Sequence, residues 1–259
     1  MFENNYPLFT PGRILKTKML TELRDYPREF INIKYRDYSD GIIAGCDIEV
    51  TDNFLIIKKG IIKHGETIYI MTEDKPLIYE NNNKLTLVKL RFLSETRDND
   101  FIKYSTEAYL DENETIKEDE MELCRFKLRS GAVLRGRYVS FNDFSTEFDT
   151  VNIINAPFAG TLGKTLNPKI TKAFGRELLK CNSKDNFDIS FAYLCIQEKD
   201  AIEKEIILDY LKSKLNFADR DYSNEEIYYF LLQALEKAGE GSREDTKERK
   251  GRYKRILID

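Results

Sequence analysis

At 259 residues, with 41% hydrophobic and 33% charged side chains, the chain can hold one large domain or two modest ones and has the composition of a globular protein with a polar surface. Its net charge of −4 argues against a nucleic-acid coat, which needs clustered positive charge. No apolar run approaches the ~20 residues of a membrane helix, so no membrane span is expected.

Met1 to Pro7 lacks the basic and apolar regions of a targeting signal, so cytoplasmic synthesis is the expectation. Thr10-Pro11-Gly12 reads as a turn. Ile14, Leu15, Met19, Leu20 and Leu23 recur at helical spacing, predicting a short helix to about Asp25 that Pro27 stops. Residues 42–155 read mainly as antiparallel strands. Within them, Gly41 to Val50 and Leu55 to Ile70 are isoleucine-rich runs broken by Lys58-Lys59-Gly60 and His64-Gly65-Glu66, the pattern of hairpins with tight turns. The acidic stretch from Asp111 to Glu120 reads as a solvated loop. Cys124, Phe126 and Leu128 alternate with Arg125, Lys127 and Arg129, the period of a half-buried strand, and Val133–Val139 and Val151–Ile154 predict further strands.

After Pro157 the hydrophobic period changes from two to about 3.6. Pro168 is well placed to open a helix. Ile202, Ile206, Tyr210 and Leu211 predict one face of a helix over about 200–215. Ser223-Asn224-Glu225-Glu226 is a capping box, Ile227, Leu231 and Leu235 share the stripe that follows, and Gly239 is a candidate end. The fold class predicted is α+β, an antiparallel β region followed by helices. The expected division is a β-rich domain over 1–155 with a short N-terminal helix, a helical region over 156–240 and a charged tail over 241–259, mobile as far as Ile256-Leu257-Ile258. Arg-Asp-Tyr recurs at 24–26, 36–38 and 220–222, but its flanks do not match, so it marks no structural repeat.

Chemical signals are sparse. Cys46, Cys124, Cys181 and Cys195 form no C-x-x-C pair and read as reduced, mostly buried thiols. Gly163-Lys164-Thr165 invites a phosphate-loop reading, but Phe158 stands where the first glycine of the cradle must be, and an ordinary connector fits better. His64 is the single histidine and sits at a hairpin turn without an evident orienting partner or metal-ligand spacing. Asp98 and Asp100, and Asp219 and Asp221, offer carboxylate pairs but lack the remaining ligands of a calcium loop. The basic cluster from Lys247 to Arg255 is interleaved with acids and reads as a solvated tail, with a protein-docking arm or a nucleic-acid contact as alternatives. No catalytic, cofactor-binding or metal-binding residue is assigned, and no cofactor is expected.

Phe9-Thr10-Pro11-Gly12, Asp40-Gly41-Ile42-Ile43-Ala44-Gly45-Cys46-Asp47-Ile48 and Gly60-Ile61-Ile62-Lys63-His64-Gly65-Glu66-Thr67-Ile68-Tyr69 together resemble the opening of phage tail appendage and baseplate-associated proteins, over roughly residues 8–92. The resemblance implies a structural, non-enzymatic subunit whose partners are other particle components or further copies of itself. The leading expectation is therefore an assembly adaptor of a phage-tail-like particle, docking through the hairpin residues Ile61, Ile62, Ile68 and Tyr69. The alternatives are a stand-alone enzyme with an acidic, metal-dependent site and a cytosolic regulatory binding module.

Overall fold

The computed structural model describes residues 2–51 and 54–251, with side chains to residue 239. The chain divides into two units, Met1–Tyr38 and Ser39–Asp259.

In the first unit, Thr10 to Arg13 form a turn closed by the Arg13 N–H donating to the Thr10 carbonyl, with Gly12 in the left-handed region at φ +80°. Helix α1 follows at Thr17–Tyr35. It corrects the short helix expected to end before Pro27. Proline withdraws one N–H from the ladder, at a cost of about 3 kcal/mol, without ending the helix here.

The second unit opens with six strands. They are β1 (Gly41–Gly45), β2 (Ile48–Val50), β3 (Phe54–Ile57), β4 (Gly60–His64), β5 (Thr67–Met71) and β6 (Lys75–Ile78). Next come β7 (Leu85–Phe92), the two-residue strands β8 (Thr96–Arg97) and β9 (Ile102–Lys103), β10 (Thr106–Asp111) and β11 (Glu120–Lys127). The sheets are ordered β2-β3-β6 and β10-β7-β11, with β8 paired to β9, and every pair in them is antiparallel. Residues 133–139 and 151–154 make only isolated bridges, Arg135 with Thr150 and Asn152 with Arg125, rather than the strands expected there. A short 3-10 helix, Phe141–Ser145, seats two phenylalanines in the core.

The change to helical period comes only at Pro168, about ten residues later than Pro157. β12 (Phe158–Gly160) and β13 (Gly163–Thr165) form a hairpin first, and β12 pairs parallel to β1. The resulting sheet runs β13-β12-β1-β4-β5. Helices α2 (Pro168–Lys180), α3 (Asn186–Gln197), α4 (Lys204–Lys214) and α5 (Asn224–Gly251) complete an α+β fold. Pro168 does open α2, with the Asn167 side chain capping the Lys169 N–H. The capping box of α5 also forms: Ser223 Oγ accepts from the Glu226 N–H, and the Glu226 carboxylate accepts from the Ser223 N–H. The buried face of α4 uses Ile207, Tyr210 and Leu211, while Ile206 is exposed. Gly239 does not end α5, which continues to Gly251. The end of the tail, 252–259, including Arg255 and Ile256–Ile258, lies outside the described residues.

The motif glycines earn their places by contact. A Cβ on Gly45 would lie 2.2 Å from the Lys59 carbonyl oxygen, and one on Gly60 would lie 2.3 Å from Cys46 Sγ. These two residues face each other across β1 and β4, beside a bulge at Ile42 to Ala44. Close backbone approach therefore explains both positions.

One core cluster contains both strand residues such as Val88, Cys124 and Phe126 and helix residues such as Phe174, Tyr210 and Tyr228. The Tyr228 hydroxyl donates to the Phe141 carbonyl at 2.6 Å. Cys46, Cys124 and Cys195 are buried free thiols. Burial pushes Cys46 and Cys195 up to about 12 and raises Cys124 as well. Cys181 is half-buried and its thiol is raised by the same cause.

Charge also enters the core. The Lys89 side chain, in the middle of β7, is 0% exposed. Its Nζ donates to Asp111 Oδ2 and the Thr115 carbonyl, both at 2.8 Å, and stands 3.7 Å from Glu120 Oε2. Glu120 thus corrects the solvated-loop reading of the acidic stretch: it opens β11 as a buried residue. Burial opposes its charge, but hydrogen bonds from Tyr109, the Lys117 N–H and Arg91, with the Lys89 charge, outweigh that and hold it to about 2. A depressed carboxylate contributes stability above its ordinary value of 4.5, lost as pH falls through about 2.

Candidate docking surface

The first unit carries an unusual surface. Eleven large apolar side chains between Phe2 and Ile33 are exposed, and α1 has no buried residue. In α1, Met19, Leu23, Tyr26, Phe30 and Ile33 follow one another at spacings of four, three, four and three, the seam of a helix that packs on a partner. Leu23, Tyr26, Phe30 and Ile33 are 53–64% exposed. Before the helix, Leu8, Phe9, Ile14 and Leu15 border a groove of about 290 Å³. The N-terminal end does little to hold it, since Lys16 at the N-cap makes no side-chain cap and the first turn has no acid, though Lys34 in the last turn suits the helix dipole. A 19-residue helix with an internal proline is marginal in water without packing. Its apolar seam is where packing has to come from.

The hairpin residues expected to dock are divided between two faces. Ile62 pairs with Tyr69, and Ile61 with Ile70, in the β4–β5 register. Ile62 is 6% exposed and belongs to the core, and Tyr69 packs on Phe92 with ring centroids 5.2 Å apart. A strand's period of two thus removes Ile62 from any docking surface. Ile61 and Ile68 are half-buried, and their neighbour Ile70 is exposed. Among the described residues β5 pairs only with β4, so it is an edge of its sheet.

The other sequence signals resolve into local structure. Gly163-Lys164-Thr165 is strand β13. The backbone N–H groups of Thr161 and Leu162, at the hairpin turn, donate to the Glu203 carboxylate at 2.8 and 3.2 Å, and the Thr161 hydroxyl donates at 2.8 Å. Burial works against the Glu203 charge, but these hydrogen bonds outweigh it and lower the pKa. A carboxylate of this chain therefore occupies the donors an anion would need. Calorimetry with Mg-ATP or Mg-GTP should register no binding, and a micromolar dissociation constant abolished by Lys164→Ala would overturn that expectation.

His64 ends β4 and stacks on Phe92 with ring centroids 3.9 Å apart, and its Nδ1 is 3.6 Å from Asp40 Oδ2. Asp98 accepts the N–H groups of Asp100 and Phe101 and pairs with Lys103 at 2.5 Å, so it shapes a turn. Asp219 and Asp221 pair separately with Lys212 and Lys204. In the second unit an open groove of about 880 Å³ runs past His64, Glu120, Glu122, Arg125, Lys164 and Lys204. Glu122 there is held by both nitrogens of a bidentate Arg125, each at 2.7 Å.

No family model and no curated protein matches the chain. Among solved structures, a crystal structure of TssK aligns at 11% identity and TM-score 0.43, covering 90% of this chain and 72% of that one. A chain from the cryo-electron microscopy structure of the type VI secretion system TssK-TssF-TssG baseplate subcomplex aligns at 9% identity and TM-score 0.40, covering 92% of this chain and 100% of that one. At these scores the likeness assigns neither family nor role. No described helix is long and apolar enough to cross a membrane.

The seam on α1 was legible in the spacing of Met19 to Ile33. Giving Pro27 the weight of a helix stop cut the pattern in half and hid it.

Proposed function

We propose that the chain is a structural or assembly-adaptor subunit that works through protein–protein contacts, with the first unit as its principal docking element. The observation that carries this reading is the apolar seam of α1, with Leu23, Tyr26, Phe30 and Ile33 all more than half exposed. Exposed apolar clusters of this extent mark interaction surfaces on otherwise polar proteins. The outer side of the β4–β5 hairpin, with Ile61, Ile68 and Ile70 at a sheet edge, is a second contact available to the same role.

The finer reading is that the assembly is a phage-tail-like particle built in the cytoplasm, with its other subunits as partners. The resemblance carried by residues 8–92 supports it. The test is incorporation. A tagged chain expressed in its producing cells should sediment with the particle fraction, and Leu23→Asp/Phe30→Asp should leave it in the supernatant while the second unit keeps the cooperative melt of the parent. A folded double variant that still co-sediments would remove α1 from the role. A parent chain absent from every particle fraction would remove the role itself.

A further inference from the structure

We infer that the partner on the α1 seam is a second copy of the same helix, aligned parallel. This rests on the docking reading above and adds the identity and polarity of the occupant.

Three observations carry it. The first is the spacing. With Leu23 and Phe30 at the a positions and Met19, Tyr26 and Ile33 at the d positions, the seam matches the 3.5-residue repeat that two helices share when they wind about each other. A helix docking on a sheet or an irregular groove needs only a broad apolar face, whereas the unbroken alternation of four and three is the pattern of helix against helix, with Leu20 and Pro27 widening it at the e flank.

The second is charge. This register places Glu22 and Glu29 at g positions and Lys34 at an e position. In a parallel pair each g residue meets the e residue five places later on the other helix. Glu29 then meets the partner copy's Lys34, and the symmetry of a two-fold pair repeats the contact. Glu22 meets Pro27, which carries no charge. An antiparallel pair would instead turn g toward g and bring Glu22 against Glu29, two like charges. The flanks therefore favour one polarity.

The third is area. The exposed apolar side chains from Phe2 to Ile33 together offer on the order of 1,000 Å² per copy, given about 150–250 Å² for a whole aromatic side chain, of which the seam supplies about half. A stable pair needs about 800 Å² per partner, so the segment ahead of the helix must take part. The seam on 19 residues has a reach of about 28 Å, which is short for a coiled coil alone. Ile14 and Leu15, exposed just ahead of the helix, extend the apolar strip in the same direction.

Sedimentation equilibrium of the purified full chain tests the inference. The expected result is reversible self-association in the absence of any other subunit. Leu23→Asp and Phe30→Asp should each weaken it at least about 100-fold, as for a central anchor of an interface. Glu29→Lys should weaken it about fivefold by turning attraction into repulsion at both symmetric contacts, and Glu29→Lys/Lys34→Glu should restore it. Failure of the double swap to restore association would overturn the parallel polarity. Spin labels at Lys18→Cys give an independent reading, since parallel helices bring the two labels close and antiparallel ones hold them nearly a helix length apart. A chain that is a strict monomer at high concentration would overturn the inference. If that monomer still enters the particle fraction and loses entry on Leu23→Asp/Phe30→Asp, the docking reading stands with a different occupant.

Discussion

Lys89→Met is expected to destabilise the chain by about 2–3 kcal/mol, the cost of removing the cation and its charged hydrogen bonds from a buried network whose other members keep partners or water. Methionine fills nearly the same volume, so packing changes little. What is lost is the ammonium that donates to Asp111 and the Thr115 carbonyl at 2.8 Å each and lies beside Glu120. Asp111 is partly exposed and can recover water, and Glu120, whose side chain is 1% exposed, keeps Tyr109 at 2.6 Å and Arg91 at 3.2 Å but loses the nearby Lys89 charge. Urea unfolding with an unchanged m-value measures the loss. Lys89→Met/Glu120→Gln should cost less than the sum of its parts, because the two residues belong to one buried charge network. A single-variant loss below about 1 kcal/mol would mean that the buried network contributes little.

Asp188→Ala should cost about 3 kcal/mol. Asp188, in the first turn of α3, is buried and accepts from the Ser183 hydroxyl at 2.6 Å and the Tyr210 hydroxyl at 2.9 Å, with Lys214 Nζ at 2.7 Å. Alanine strands the Tyr210 hydroxyl, which is buried and whose ring stacks on Phe191 with centroids 4.0 Å apart. Lys214 retains Asp185, so it is not left alone. Asp188→Asn keeps an acceptor for Tyr210 and should recover roughly half of the loss. Thermal melts of the two variants separate a hydrogen-bond role from simple packing: equal losses in both would show that the charge, and not the acceptor, is what matters.

The α+β order of this fold was readable because hydrophobic period is a local property. Pro168, the Ser223–Glu226 box and the β4–β5 hairpin at His64-Gly65-Glu66 form the elements their spacing predicts, while Lys58-Lys59-Gly60 links strands of two different sheets and does not make a hairpin. The errors share a different origin. Pro27 and Gly239 are breakers by local preference, yet both lie inside helices, where a cost of about 1 to 3 kcal/mol is within what a continuous helix can carry. Glu120 looked solvated because its neighbours are acidic, and its burial depends on Lys89, Arg91 and Tyr109, residues 11 to 31 places away. Phe158 to Thr165 is too short a hairpin to show a period, and its turn is held by Glu203, about 40 residues further on. Dense isoleucines make the hairpin look like a docking site, but a two-residue period hides half of them, while the helix with no buried residue shows its seam whole.

The four thiols have a practical consequence. Three are sealed in the interior and all four are held above the range in which a thiolate forms at neutral pH, so a maleimide or iodoacetamide reagent meets a chain that is chemically quiet, with Cys181 the one native thiol that is not fully buried. A cysteine introduced on the outside of α1 would then be the fastest-reacting sulfur in the protein. Dyes, spin labels and crosslinkers can be placed on the arm one at a time without first stripping the native cysteines from a core that uses them as packing.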